Sequence, residues 1–293
     1  MRNLILGTDW GADCDDCVAL RVATRLAKQG KINLIAIGIN CCKENSYASM
    51  IAFLNKEGIS VPVGLDTREH DFDWCESYQL GLASLRPDLS NCNADSAVRV
   101  YRRAIANADG PVEIMEIGFL QVLADLLRSP ADDISPKTGL ELVKERVTKI
   151  WSMAGRWSQD GGLEFNFNQT SLSREGGAYV CEHCPVPITF LGWEIGASVI
   201  TGTRLDKNDY LRKALCAHGA DKGRPSWDPM LVLMACIGDE RKAGYAYVTG
   251  FARLDPESGR NYFTNDENGR HRYVIKCHRD SYYANKIDEI IKS

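Results

Sequence analysis

The hydrophobic positions of this chain fall into short apolar runs that alternate with stretches of helical spacing. Leu4-Ile5-Leu6 predicts a first strand, and Cys17 to Gln29 a helix whose Val18, Leu20, Val22, Ala23 and Leu26 recur at helical intervals. Leu34 to Ile39 predicts a second strand, Ser46 to Lys56 a helix closing at Gly58, and Val61-Pro62-Val63 a third strand. The rhythm returns with a strand over Val112 to Ile117, a helix over Leu120 to Leu127, and strands over Arg146 to Met153 and Pro187 to Gly192. Such alternation predicts the α/β class, an open and mostly parallel sheet flanked by helices. The tail changes register: Tyr245 to Leu254, Asn261 to Thr264 and His271 to Cys277 read as strands joined by turns at Asp255-Pro256 and Asn268-Gly269. These predict C-terminal β-hairpins appended to the main sheet.

No internal repeat, low-complexity tract or linker interrupts the pattern, so residues 1–293 are expected to form a single domain. Ligands of open α/β sheets sit beyond the carboxyl ends of strands. The residues just after Leu6, Ile117, Met153 and Gly192 are therefore where chemistry is expected.

Composition narrows the partners. Apolar residues make up 44% and charged residues 25%, an ordinary globular balance. A formal net charge of −4 offers a nucleic acid no attraction. No stretch approaches the roughly 20 apolar residues that span a bilayer, and the N-terminus turns acidic too early for a secretory leader. The eleven cysteines, with Cys41 and Cys42 adjacent, form no regular framework and read as thiols of a reducing cytoplasm.

The first predicted strand ends in Gly7-Thr8-Asp9-Trp10-Gly11-Ala12-Asp13-Cys14-Asp15-Asp16, which packs four carboxylates into eight residues. Like charges this dense repel one another. The following helix N-terminus offers only about 0.3–1 kcal/mol of compensation. A hard divalent cation with oxygen ligands is the economical counter-charge. A solvated, helix-capping loop is the plain alternative. No register of the loop supplies both the glycine and the distal glutamate of an EF-hand, and Gly7 stands where a phosphatase of the haloacid dehalogenase type places its first aspartate.

The spacing resembles the Asp-x-Asp-x-x-x-Asp-x-Asp-Asp variant of the opening motif of inosine-uridine-type nucleoside hydrolases, matched by Asp9, Asp13, Asp15 and Asp16, with Gly7 replacing the first aspartate. Further pieces follow in the family's order. Glu116 to Ala124 resembles the Gly-Pro-Leu-Thr-Asn-Leu-Ala turn, and Met153-Ala154-Gly155 the Met-Gly-Gly segment. Glu164-Phe165-Asn166 resembles a ribose-holding Glu-Phe-Asn, and Ser226-Trp227-Asp228-Pro229 the segment with the last metal carboxylate. The likeness runs from residue 4 to about residue 234.

That resemblance implies the nucleoside hydrolase fold, a Rossmann-like sheet, and calcium-dependent hydrolysis of the N-glycosidic bond of ribonucleosides. It implies calcium held by Asp9, Asp16, Asp228 and the backbone carbonyl of Gln121. Asp9 would act as general base, Asp15 would bind the ribose hydroxyls, Glu164 and Asn166 would hold the far side of the ribose, and Met153 would line the sugar face. Asn40 and Asn45 compete for a further ribose contact. The partner is a small nucleoside, which carries no phosphate, and since relatives are often dimers or tetramers a homo-oligomer is in keeping with the likeness.

Two departures stand out. Gly7 removes a carboxylate that Asp13, one turn away, is placed to replace. Trp227 stands where many relatives carry a histidine that protonates the leaving base; the purine-specific branch also has tryptophan there, which implies stacking on a purine, with Trp74 as a second stacking residue. Glu194 follows a strand and is placed to reach the site, whereas His271 sits in the terminal strands and reads as structural. Cys181 and Cys184 have zinc-like spacing without a second pair at ribbon distance. A riboside-binding relative without turnover, or a hydrolase of another N-glycoside, are the alternatives.

Overall fold

The first apolar run forms β1 (Arg2–Thr8), buried from Asn3 onward, and α1 (Asp15–Lys28) follows it. The alternation continues through β2 (Ile32–Ile39), α2 (Ser46–Glu57) and β3 (Val63–Leu65). α2 closes at Gly58, whose φ of 67° is the left-handed cap that glycine adopts without strain. Next come α3 (Ser77–Ala83), β4 (Asp95–Ser96), α4 (Ala97–Asn107), β5 (Val112–Glu116), α5 (Gln121–Arg128) and α6 (Gly139–Arg146). β6 (Val147–Met153), α7 (Phe165–Asn168), α8 (Ser171–His183), β7 (Ile188–Leu191) and α9 (Trp193–Gly196) lead to β8 (Ile200–Thr201), α10 (Tyr210–Ala217), β9 (Arg224–Pro225), α11 (Trp227–Ile237) and α12 (Glu240–Ala243). The tail holds β10 (Tyr245–Leu254), β11 (Asn261–Asn265), β12 (His271–Lys276) and α13 (Asp280–Lys292). This computed structural model describes residues 1–11, 13–68 and 77–292.

Ten strands join one sheet in the order β11-β10-β12-β7-β6-β5-β1-β2-β3-β4. All pairings from β12 through to β4 are parallel, and β10 is antiparallel to both its neighbours. Helices cover both faces. Leu4 and Leu6 of β1 join the core beneath α1, α2, α11 and α13, whereas Ile5 joins the one beneath α4, α5, α6 and α8. A strand buried on both faces needs apolar residues at consecutive positions, which is why β1 reads as a run rather than an alternation. The two halves of the sheet diverge between β1 and β5, so a crevice opens at the carboxyl ends of those strands.

The appended strands depart from the hairpin expectation in one respect. β10 and β11 form a hairpin, but the turn at Asn268-Gly269 closes none: β12 crosses to the other edge of β10 and pairs in parallel with β7. Burial decides this, because His271 and Val274 of β12 are covered between β10 and β7. No described helix is long and apolar enough to cross a membrane.

Candidate active site

At the carboxyl edge of the sheet two helix N-termini converge. α1 begins with Asp15 and Asp16, and α11 carries Asp228 in its first turn. One carboxylate oxygen from each of these three lies within 4.8 Å of the others. All are buried. The Thr8 hydroxyl donates to Asp16, and the Asp228 amide donates to Asp15 Oδ2 at 3.2 Å. Burial, then the charges of Asp13 and Asp16, drive the Asp15 carboxyl well above the usual carboxylate range. Burial, then Asp15, Asp16 and Asp9, do the same to Asp228. An all-oxygen set of buried, mutually repelling carboxylates fits a hard divalent cation better than a soft one.

Asp9 follows β1, is buried, and lines the same cavity as the cluster. Its backbone is clamped by the turn after β5: a Cβ on Gly118 would lie 2.4 Å from the Asp9 amide nitrogen, so only glycine permits that approach. Asp13 also lines the cavity, but Arg224 grips both its oxygens through the Nε–Nη2 edge of the guanidinium, at 2.7 Å from Nε to Oδ1, and His218 Nε2 lies 3.7 Å from it. Cys14 shares this corner and offers a ligand atom within 4.8 Å of those of Asp13 and His218, and burial, then the neighbouring aspartates, push its thiol far up.

The opposite wall is built by the Glu-Phe-Asn segment. Glu164 caps α7, accepting from the amides of Asn166 and Gly155 at 2.9 Å each and of Phe167 at 3.3 Å. Burial outweighs those bonds and lifts its carboxyl to about 7. Asn166 Nδ2 donates to the carbonyls of Met153 at 2.8 Å and Ile117 at 3.2 Å, tying the ends of β6 and β5. Glu164, Asn166, Met153 and Ile117 all line the cavity.

Aromatic rings close one side. Trp227 and Trp193 stack with centroids 6.4 Å apart and planes 28° apart, and Trp227 Nε1 donates to the Trp193 carbonyl at 2.7 Å. Gly196 makes this possible, since a Cβ there would lie 2.5 Å from the Trp227 backbone. Guanidinium groups flank the pair: Arg156 lies 4.7 Å over Trp193 and Arg224 5.8 Å over Trp227.

Other expected residues sit behind the cavity wall. Asn40 is fully buried and donates to Glu116 Oε1 at 2.6 Å. Gln121, at the start of α5, sends its side chain to the Asn40 carbonyl at 2.5 Å and to Asp66 at 3.3 Å. Glu194 accepts from the Trp157 amide at 3.0 Å. None of these three lines the cavity. Trp74 lies outside the described residues. His271 accepts from the Ala252 amide at 2.8 Å within the sheet, in keeping with a structural role. Cys181 and Cys184 are buried free thiols, and among the described residues neither joins a group able to hold a metal.

Sequence reasoning did not single out Trp193, Arg224 and Phe165, which also line the cavity. Trp193 had a positional signal, since it directly follows the strand ending at Gly192. Glu194 follows the same strand, but its carboxylate accepts from the Trp157 amide instead of entering the cavity. Arg224 had no local signal.

The sequence matches no family model and no curated protein. Solved structures do match its fold. The inosine-uridine preferring nucleoside hydrolase from Bacillus anthracis superposes with a TM-score of 0.72 at 14% identity, covering 100% of this chain and 99% of that one. The type III effector protein XopQ, solved with adenosine diphosphate ribose, gives 0.69 at 15% identity, with 99% and 92% covered. The purine-preferring ribonucleoside hydrolase from Gardnerella vaginalis gives 0.66 at 16% identity, with 99% and 98% covered. Along its whole length, the chain has the nucleoside hydrolase fold.

Proposed function

We propose that this protein hydrolyses the N-glycosidic bond of ribonucleosides, with a preference for purines, using a bound calcium ion. The observation that carries this reading is the meeting of Asp15, Asp16 and Asp228 beside Asp9, opposite Glu164 and Asn166. Asp16 and Asp228 would hold the ion together with Asp9, which lines the same cavity, and Asp15 would lie within reach of both the ion and the sugar. When bound, such a cation polarises a ribose diol and a water molecule.

The chain's own groups account for the remaining chemistry. Cleavage between C1′ and a base nitrogen builds positive charge on the ring, as in other glycoside hydrolyses. The carboxylates around the sugar stabilise that charge. Asp9 takes the proton of the attacking water as general base. Glu164, Asn166 and Met153 hold the sugar so that its anomeric carbon faces Asp9. Trp227 and Trp193 receive the base, and stacking favours its departure where no histidine acid precedes Asp228. The free thiols fit a reducing compartment such as the cytoplasm.

The test is release of free base from inosine, guanosine, adenosine, uridine and cytidine, with and without a calcium chelator. Chelator-sensitive release that Asp9→Asn abolishes supports the reading; wild-type rates in Asp9→Asn refute the role of Asp9. A second reading, a riboside-binding protein without turnover, is favoured by the cationic rim of Arg156 and Arg224 around the tryptophans and by the effector solved with adenosine diphosphate ribose. Calcium-dependent binding of that ligand with no base released from any of the five nucleosides selects it.

A further inference from the structure

Behind Asp9 lies a buried polar row that crosses three strands. Gly38 of β2, Gly7 of β1 and Glu116 of β5 stand in register beside one another. Both glycines are spaces that larger neighbours fill. A Cβ on Gly7 would fall 1.8 Å from Glu116 Oε1, and a Cβ on Gly38 would fall 2.4 Å from the ring of Tyr101. Tyr101 reaches over Gly38 from α4 and brings its hydroxyl 3.5 Å from Glu116 Oε2. The Glu116 side chain thus lies across β1, in the place a Gly7 side chain would take.

This carboxylate organises the turn that clamps Asp9. Glu116 Oε1 accepts from Asn40 Nδ2 at 2.6 Å, which leaves Asn40 Oδ1 to accept from the Phe119 amide at 3.1 Å. The Asn40 amide donates to the Thr8 carbonyl at 2.8 Å, and its own carbonyl accepts from Gln121. Asn40 therefore binds the turn at residues 118–121 to the end of β1, where Gly118 presses on the Asp9 amide. A buried amide has two orientations, and only an acceptor at the position of Glu116 selects the one that ties the turn down.

We infer that Glu116 is a positioning residue that sets Asp9 through Asn40, and that Gly7 is small because one carboxylate, supplied from the neighbouring strand, serves the space both positions share. The inference deepens the hydrolase reading and rests on it for the role of Asp9. A carboxylate supplied from β1 should serve in its place if Glu116 is cut back.

The experiment is a double-mutant cycle with Gly7→Asp, Glu116→Ala and the pair, joined by Glu116→Leu and Glu116→Gln. Gly7→Asp alone overpacks the row and should melt about 2–10 °C below wild type. The double variant should melt above both single variants. Glu116→Leu keeps the bulk but offers Asn40 no acceptor, so kcat and calcium affinity should each fall about 10- to 100-fold with KM little changed. Glu116→Gln keeps an acceptor and should retain both. Additive melting shifts in the cycle, or a Glu116→Leu variant with wild-type kcat and calcium affinity, would overturn the inference. If the wild-type protein releases no base, the hydrolase reading fails separately, and the melting cycle and calcium titration still decide this one.

Discussion

The backbone amide at the start of one helix, Asp228 in α11, donates to the side chain at the start of another, Asp15 in α1, at 3.2 Å. The two helices are thereby held with their positive ends and their carboxylates at one point. The arrangement is costly when empty of counter-charge, and that cost makes it testable.

Calcium at about 100 times its dissociation constant should stabilise the folded chain by about 2.7 kcal/mol. Asp228→Asn removes one of three clustered charges, so the metal-free variant should melt above the metal-free wild type. It should also lose the calcium response. Thermal melts with and without calcium check both signs; a variant that melts lower and still responds to calcium counts against the cluster as the metal site.

The tryptophan pair should act on the base rather than on the sugar. Trp193→Ala and Trp227→Ala should each lower kcat/KM for inosine by about 5- to 150-fold, the equivalent of losing about 1–3 kcal/mol of stacking. The loss for uridine, with a smaller ring, should be less. Steady-state kinetics on the two substrates is the measurement, and equal losses would remove the case for a purine subsite.

Besides Asp15 and Asp228, the buried carboxyls of Glu116 and Glu164 tie the stability of the metal-free chain to pH. Burial lifts Glu116 to about 8 and Glu164 to about 7, from an ordinary value of 4.5. A carboxyl raised on folding favours the fold while it is protonated. Its contribution is complete below pH 4.5 and is lost as pH rises through 7 and 8. Between those limits each group lowers stability by up to about 1.4 kcal/mol per pH unit. Denaturant melts across pH 5–8 should show the slope, and Glu116→Gln and Glu164→Gln should each flatten it.

Arg21 provides a control far from the cavity. It is fully buried, bonds Glu57 and Asp209 at 2.7 Å each, and lies under the Tyr210 ring, linking α1, α2 and α10. Arg21→Met leaves Glu57 buried with weaker compensation and should cost about 3–5 kcal/mol. The kcat of the folded fraction should stay at the wild-type value. Urea midpoints and active-site-normalised rates check the two halves of this expectation.

Much of the fold was legible along the chain because its signals are local. Apolar runs of the right length become central strands, and Gly58 ends α2 where the reading placed it. The acidic loop announced itself by charge density, and Glu164 and Asn166 by their place in the resemblance. Such local signals suffice for a parallel α/β sheet and a carboxylate-rich crevice at its edge. Tertiary structure alone decided which acids meet. Asp15 and Asp16 find Asp228 more than 200 residues away, whereas Asp13, just before them, is taken by Arg224. It also turned Glu194 aside in favour of Trp193, sent β12 across β10, and put Glu116 rather than Asp13 into the space beside Gly7. The reason is common to all four. A side chain's partner is set by strand register and helix packing between distant segments, and no spacing within one segment encodes either.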